Sequence, residues 1–134
     1  MQILILGMHR SGTSATARLI NMMGAYFAPE GLGLPPRPEN PKGYWERRDT
    51  ILLNEELLKL QLCDWKTLVN WQFERAAQAP DRLKYMMQKL IMSMDGFRPW
   101  FLKDPRMCLT LPAWLNLLEA PVAVIVYRNP HEIA

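Results

Sequence analysis

The chain has 134 residues, 49% of them hydrophobic and 22% charged, with a net charge of +3. That length and balance fit one globular domain and exclude a disordered chain. The basic residues form no dense run, which speaks against nucleic acid, whereas a modest positive excess suits a small polyanion.

Residues 2–6 are apolar and rich in Ile and Leu, which predicts a short buried strand ending at Gly7. The loop 7–12 follows, then a helix from about Thr13 to Met23 with Ala17, Ile20 and Met23, or their near neighbours, on its core face and Gly24 as C-terminal cap. Residues 28–43 hold Pro29, Pro35, Pro36, Pro38, Pro41 and three glycines, a density that leaves a long loop. A second helix is predicted from about Arg47 to Leu62, with Leu53, Leu57 and Leu60 as its apolar stripe. Residues 64–79 are ambiguous, and Trp65 and Trp71 read as packing anchors. Leu83, Met86, Met87, Leu90, Ile91 and Met94 recur at helical spacing over 81–94. Trp100–Leu102 is a short strand leading into Lys103-Asp104-Pro105-Arg106. A helix from about Leu111 to Glu119 is expected next, capped by Thr110 and carrying Pro112 in its first turn. Val122–Tyr127 is a continuous β-branched run of the kind buried in parallel sheets, and it ends in Arg128-Asn129-Pro130.

This order predicts an α/β protein with a P-loop-type parallel sheet flanked by helices, in an incomplete or minimal version. Ligands in such sheets sit at the carboxyl ends of the strands. Gly7–Ser14, Lys103–Arg106 and Arg128 mark three such ends, and they should converge on one face.

The segment Gly7-Met8-His9-Arg10-Ser11-Gly12-Thr13-Ser14 has the makings of an anion site. Backbone N–H groups of a glycine-bounded loop point inward, and the start of a helix adds partial positive charge. Gly7 permits the tight exit from the strand, Gly12 permits close approach of a phosphate, and Thr13 and Ser14 offer hydroxyls. Against the nucleotide-binding pattern G-x-x-x-x-G-K-[ST], the glycines and Ser14 keep their spacing, but Thr13 stands where the lysine belongs. The cation has moved to Arg10. That change argues against an ordinary ATPase or GTPase, in which the lysine reaches the β- and γ-phosphates.

Arg10-Ser11-Gly12-Thr13-Ser14 resembles the 5′-phosphosulfate loop of sulfotransferases that use 3′-phosphoadenosine 5′-phosphosulfate (PAPS), in which Lys or Arg precedes Ser-Gly-Thr. Val122–Pro130 looks like that family's 3′-phosphate motif, a strand followed by Arg-(Asp/Asn)-Pro. Asn40-Pro41-Lys42-Gly43-Tyr44-Trp45-Glu46 and Lys103-Asp104-Pro105-Arg106 also resemble bacterial members. The resemblance implies one sulfotransferase-like domain over 1–134, with PAPS as co-substrate and no metal. Gly7, His9, Arg10, Ser11, Gly12, Thr13 and Ser14 would hold the 5′-phosphosulfate. Arg10 would offset charge on the leaving phosphate, and Arg128 would bind the 3′-phosphate by its planar fork. Glu46 is the candidate general base, with Asp49 the weaker alternative, and His9 reads as a positioning residue. Lys103 and Arg106 either approach the anion or pair with Asp104 or Glu46. Tyr44 and Trp45 either line the acceptor pocket or belong to the core.

The family's 3′-phosphate motif continues to a serine about eight residues beyond its arginine, and Ala134 precedes that position. The C-terminal part of the family fold is therefore expected to be missing, and a homodimer could cover the open side. The acceptor would be a small molecule or a glycan. Two alternatives stand beside this reading. One is a P-loop nucleotide or small-molecule kinase with Asp104 orienting magnesium, and the other is a non-catalytic nucleotide-binding remnant.

Cys63 and Cys108 lie far apart, and with His9 and His131 they form no metal-ligand spacing, so both read as reduced thiols. Ile3–Leu6 is too short for a signal segment, and no run approaches the ~20 apolar residues of a membrane span. The expectation is a cytoplasmic protein.

Overall fold

The computed structural model describes residues 1–133. Three strands, β1 (Gln2–Leu6), β2 (Trp100–Lys103) and β3 (Val122–Ile125), form one parallel sheet in the order β2-β1-β3. Five helices accompany them: α1 (Thr13–Met22), α2 (Arg48–Lys59), α3 (Asp81–Asp95), α4 (Met107–Leu115) and the short α5 (Pro130–Ile133). The expected α/β architecture is present, and among the described residues no helix is long and apolar enough to cross a membrane.

Strand periodicity divides the core. Successive side chains of β1 point to opposite faces. Leu4 and Leu6 join Leu53, Leu57, Leu83, Met87, Leu102 and Trp114 on the face covered by α2, α3 and α4. Ile3 and Ile5 join Ala17, Ala25 and Phe101 on the face covered by α1. The central strand is buried on both sides, as a continuous apolar run requires in a parallel sheet.

Several local expectations give way to tertiary structure. Met23 is 85% exposed and Leu60 53%, so neither belongs to the core stripe of its helix. The long loop 28–43 contains no helix or strand, as its proline content dictates, though bridges at Gly33↔Arg47 and Arg37↔Asn40 pin it. In the ambiguous stretch 64–79 the chain makes a 3₁₀ segment, Phe73–Ala77, and Trp65 is half-exposed, packed beside His9 rather than in the core. Helix α4 begins at Met107, one turn before the predicted start. Thr110 is therefore not a cap but a buried interior residue, and Pro112 lies inside the helix. The run 122–127 also departs from expectation. Its pairing with β1 forms, but among the described residues β3 is an edge strand, and its Ile125 is 76% exposed.

Candidate functional site

Register places the strand ends side by side. Ile5 lies opposite Lys103 and Leu6 opposite Ile125, so the loop after β1 leaves the sheet beside both neighbours. Gly7 is demanded by this crowding: a Cβ there would lie 2.7 Å from the Val126 carbonyl oxygen and 2.7 Å from Thr13 Cγ2. Gly12, with φ of 101°, holds a left-handed turn just before α1. Arg10 also lies in the left-handed region, at φ 63°, an uncommon choice for a residue with a Cβ. Two left-handed residues in so short a loop turn successive N–H groups toward one concavity. The N–H groups of Arg10, Gly12, Thr13 and Ser14 have no protein acceptor among the described residues. The loop is a backbone cradle with open donors at the head of a helix, which is the chemistry of an anion site.

Behind the cradle lies a buried ion pair. Lys103 Nζ donates to Glu46 Oε1 at 2.5 Å, to the Tyr44 carbonyl at 3.0 Å and to Ser14 Oγ at 3.3 Å. An ammonium has three donors, and all three are used. Ser14 is equally committed: its hydroxyl donates to the Tyr44 carbonyl at 3.2 Å and accepts from Asn40 Nδ2 at 3.4 Å as well as from Lys103. Lys103 thus pairs with Glu46, one of its two expected roles, while bracing the loop from beneath. Burial pushes the Glu46 carboxyl above its ordinary value, against the pull of Lys103. Asp49 is paired with Arg47 through two contacts, 3.0 and 2.8 Å.

A second polar cluster lies under β2. Asp104, fully buried, accepts from Asn54 Nδ2 at 2.8 Å and from Arg106 NH1 at 2.9 Å. Asn54 Oδ1 in turn accepts from Thr110 Oγ1 at 2.7 Å and Trp114 Nε1 at 2.8 Å. Arg106 also reaches Glu55 at 3.4 Å, so it too is paired rather than free. Sequence reasoning missed Asn54, Thr110 and Trp114. The available signal was a lone Asn in the apolar stripe of α2, between Leu53 and Leu57, where only a buried partner could sustain it.

His9 is half-buried and packs its ring 5.3 Å from that of Trp65. Burial, aided by the nearby Arg106, lowers its pKa, which keeps the imidazole neutral near pH 7. Arg128 arrives from the other side of the loop: its NH1 donates to the Arg10 carbonyl at 3.4 Å, and its Nε pairs with Glu132 at 3.3 Å. The three strand ends marked in the sequence therefore do meet. Tyr44 donates its hydroxyl to Glu39, and Trp45 packs edge-on against Phe27, so both aromatics have structural work beside any contact with a ligand. No family model, curated protein or solved structure matches this chain.

Proposed function

We propose that the chain carries a sulfotransferase-type site that takes PAPS and an acceptor hydroxyl or amine. The observation that carries this reading is the loop itself, whose Arg10, Gly12, Thr13 and Ser14 N–H groups stand open while a buried ammonium braces it from behind. In the reading, those donors and Arg10 hold the 5′-phosphosulfate, and Arg128 holds the 3′-phosphate. The acceptor oxygen attacks sulfur, and the bond from sulfur to the bridging phosphate oxygen breaks. The electron pair leaves on the phosphate, where preorganised donors stabilise the growing charge. Glu46 takes the acceptor's proton, a task helped by burial, which raises its carboxyl above the ordinary value.

The kinase alternative asks for a hydroxyl and a carboxylate free to face magnesium. Ser14 has every hydrogen-bonding position filled by protein, and Asp104 is enclosed by Asn54 and Arg106. These commitments favour the sulfotransferase reading over it. Calorimetric titration with adenosine 3′,5′-bisphosphate, against ADP with magnesium, tests the choice. Preference for the bisphosphate is expected. Preference for ADP with magnesium would overturn the reading, and binding of neither would leave a remnant without a nucleotide site.

A further inference from the structure

Helices α2 and α3 run antiparallel, since Arg82 in the first turn of α3 contacts Glu56 in the last turn of α2 at 3.5 Å. Between them lies an open groove of about 470 Å³, lined by none of the residues that form the anion loop. Its floor is made by the core residues Leu53, Leu83 and Leu90. Around that floor stand Leu52, Tyr85 and Met86, which are 62%, 65% and 44% exposed. Large apolar side chains gathered along one groove, with charges at its rim, mark a contact surface rather than a solvated one.

The rim charges are sorted by helix. Asp49 and Glu56 come from α2, and Arg82 and Lys89 come from α3. Each couple is seven residues apart, which is two turns or about 10.5 Å along its helix. Because the helices are antiparallel, Glu56 lies beside Arg82 at one end of the groove, and Asp49 and Lys89 share the other end. Leu52, Tyr85 and Met86 fall midway. Glu56 also meets Lys59 at 3.5 Å, Asp49 is held by Arg47, and Lys89 forms no ion pair among the described residues. A small anion or cation entering this groove would meet one repelling charge for each attracting one.

The surface that complements this pattern is the groove itself. We propose that two copies of the chain dock groove to groove, about a two-fold axis running along the groove. That rotation keeps each residue's position along the axis and exchanges the two helices, so α2 of each copy lies over α3 of the other. The partner's Glu56 then faces Arg82, and the partner's Asp49 faces Lys89. Each end becomes a ring of four charges alternating in sign. Midway, the partner's Leu52 covers Tyr85 and Met86. A two-fold axis across the groove would instead stack α2 on α2 and α3 on α3, setting acid against acid and base against base, which is unfavourable. Eleven residues line the groove, against ~20–30 a side in a standard interface, so the dimer should be weak.

Sedimentation velocity of the whole chain over ~10 μM to ~1 mM, a range suited to so small an interface, tests this. Monomer should pass to dimer with concentration, and added salt should shift the equilibrium back. Glu56→Lys and Arg82→Glu each set like charges together at two places, and each should weaken association at least about tenfold. An equal mixture of the two variants should associate again, because the reversed charges then face each other, and a misfolded variant would not regain this. Ile125→Lys, on the sheet edge, should leave the dimer unchanged. A monomer throughout the range would overturn the proposal. A dimer indifferent to either charge reversal, or lost with Ile125→Lys, would place the contact elsewhere and overturn it too. Variants that each lose the dimer but do not recover it on mixing would overturn the placement of α2 over the partner's α3.

Discussion

The two flanks of the anion loop are built on different principles. On the β2 flank, Lys103, Glu46, Asp104, Asn54 and Thr110 are all buried, and each is tied to the others or to the loop by hydrogen bonds. On the β3 flank, one edge strand and the exposed Arg128 reach the same loop through a single side-chain contact to the Arg10 carbonyl. The contrast separates two tasks. The enclosed flank fixes where the loop's N–H groups point, since a satisfied polar network in a low dielectric holds one geometry. The open flank presents charge to solvent, where a ligand can reach it at little cost in desolvation.

Breaking the enclosed flank should cost most. Lys103→Met would strand the Glu46 carboxyl and release Ser14 and the Tyr44 carbonyl. Urea denaturation should show a loss of about 3–5 kcal/mol, the range for a broken buried pair, and adding Glu46→Leu should recover part of it. If Lys103→Met is neutral, the pair does not brace the loop. Asn54→Leu would leave Asp104, Thr110 and Trp114 each short of a partner, for a loss of about 3 kcal/mol by the same measurement. At the seam between the flanks, Gly7→Ala drives a Cβ against the Val126 carbonyl and should cost about 1–3 kcal/mol, with the damage read in the amide signals of β3.

Smaller effects sharpen the comparison through pH. The His9 pKa is lowered, so the folded state resists its protonation, and the stability this residue contributes is present above 6.5 and lost as pH falls below it. His9→Gln should flatten that loss in melting curves recorded across the acidic range. Glu46 carries the opposite sign. Its pKa is raised above 4.5, so its contribution is full below that value and fades as pH rises through the folded pKa. Glu46→Gln should remove that second slope. Smallest in stability is Arg128→Ala, expected within ~0.5 kcal/mol of the parent because the side chain is exposed. Its effect should appear in calorimetry instead, as about tenfold weaker binding of adenosine 3′,5′-bisphosphate with little change for adenosine 5′-phosphate.

The anion loop was legible because its requirements are local. A strand, two glycines and a helix start follow one another within Gln2–Ser14, and backbone geometry alone makes the cradle. The convergence of Lys103 and Arg128 was legible too, since parallel strands bring their carboxyl ends together. The polar brace was not. Asn54, Thr110 and Trp114 meet only through the packing of α2 on α4, and 50 residues separate Asn54 from Asp104. Thr110 showed the ambiguity most plainly: a threonine before an apolar run signals a cap, yet a turn earlier the buried Met107 already packs in the core and extends the helix. Met23 and Leu60 were misplaced for a related reason. Each lies at or past the last residue of its helix, where periodicity no longer dictates which side meets the core.

The open edge of β3 has a consequence for the chain's behaviour in concentrated solution. Val122–Tyr127 combines β-branched and aromatic residues without a charge or a proline, the composition of segments that stack edge to edge into fibrils. Its outer backbone groups have no strand beside them among the described residues, and Tyr127 is 81% exposed. Among the described residues this edge is a template of the kind that most folded sheets blunt with lysine or a bulge. Fibril growth of this chain, seeded and accelerated with concentration, should compete with folding, and Ile125→Lys should slow it by placing a charge on the exposed edge strand.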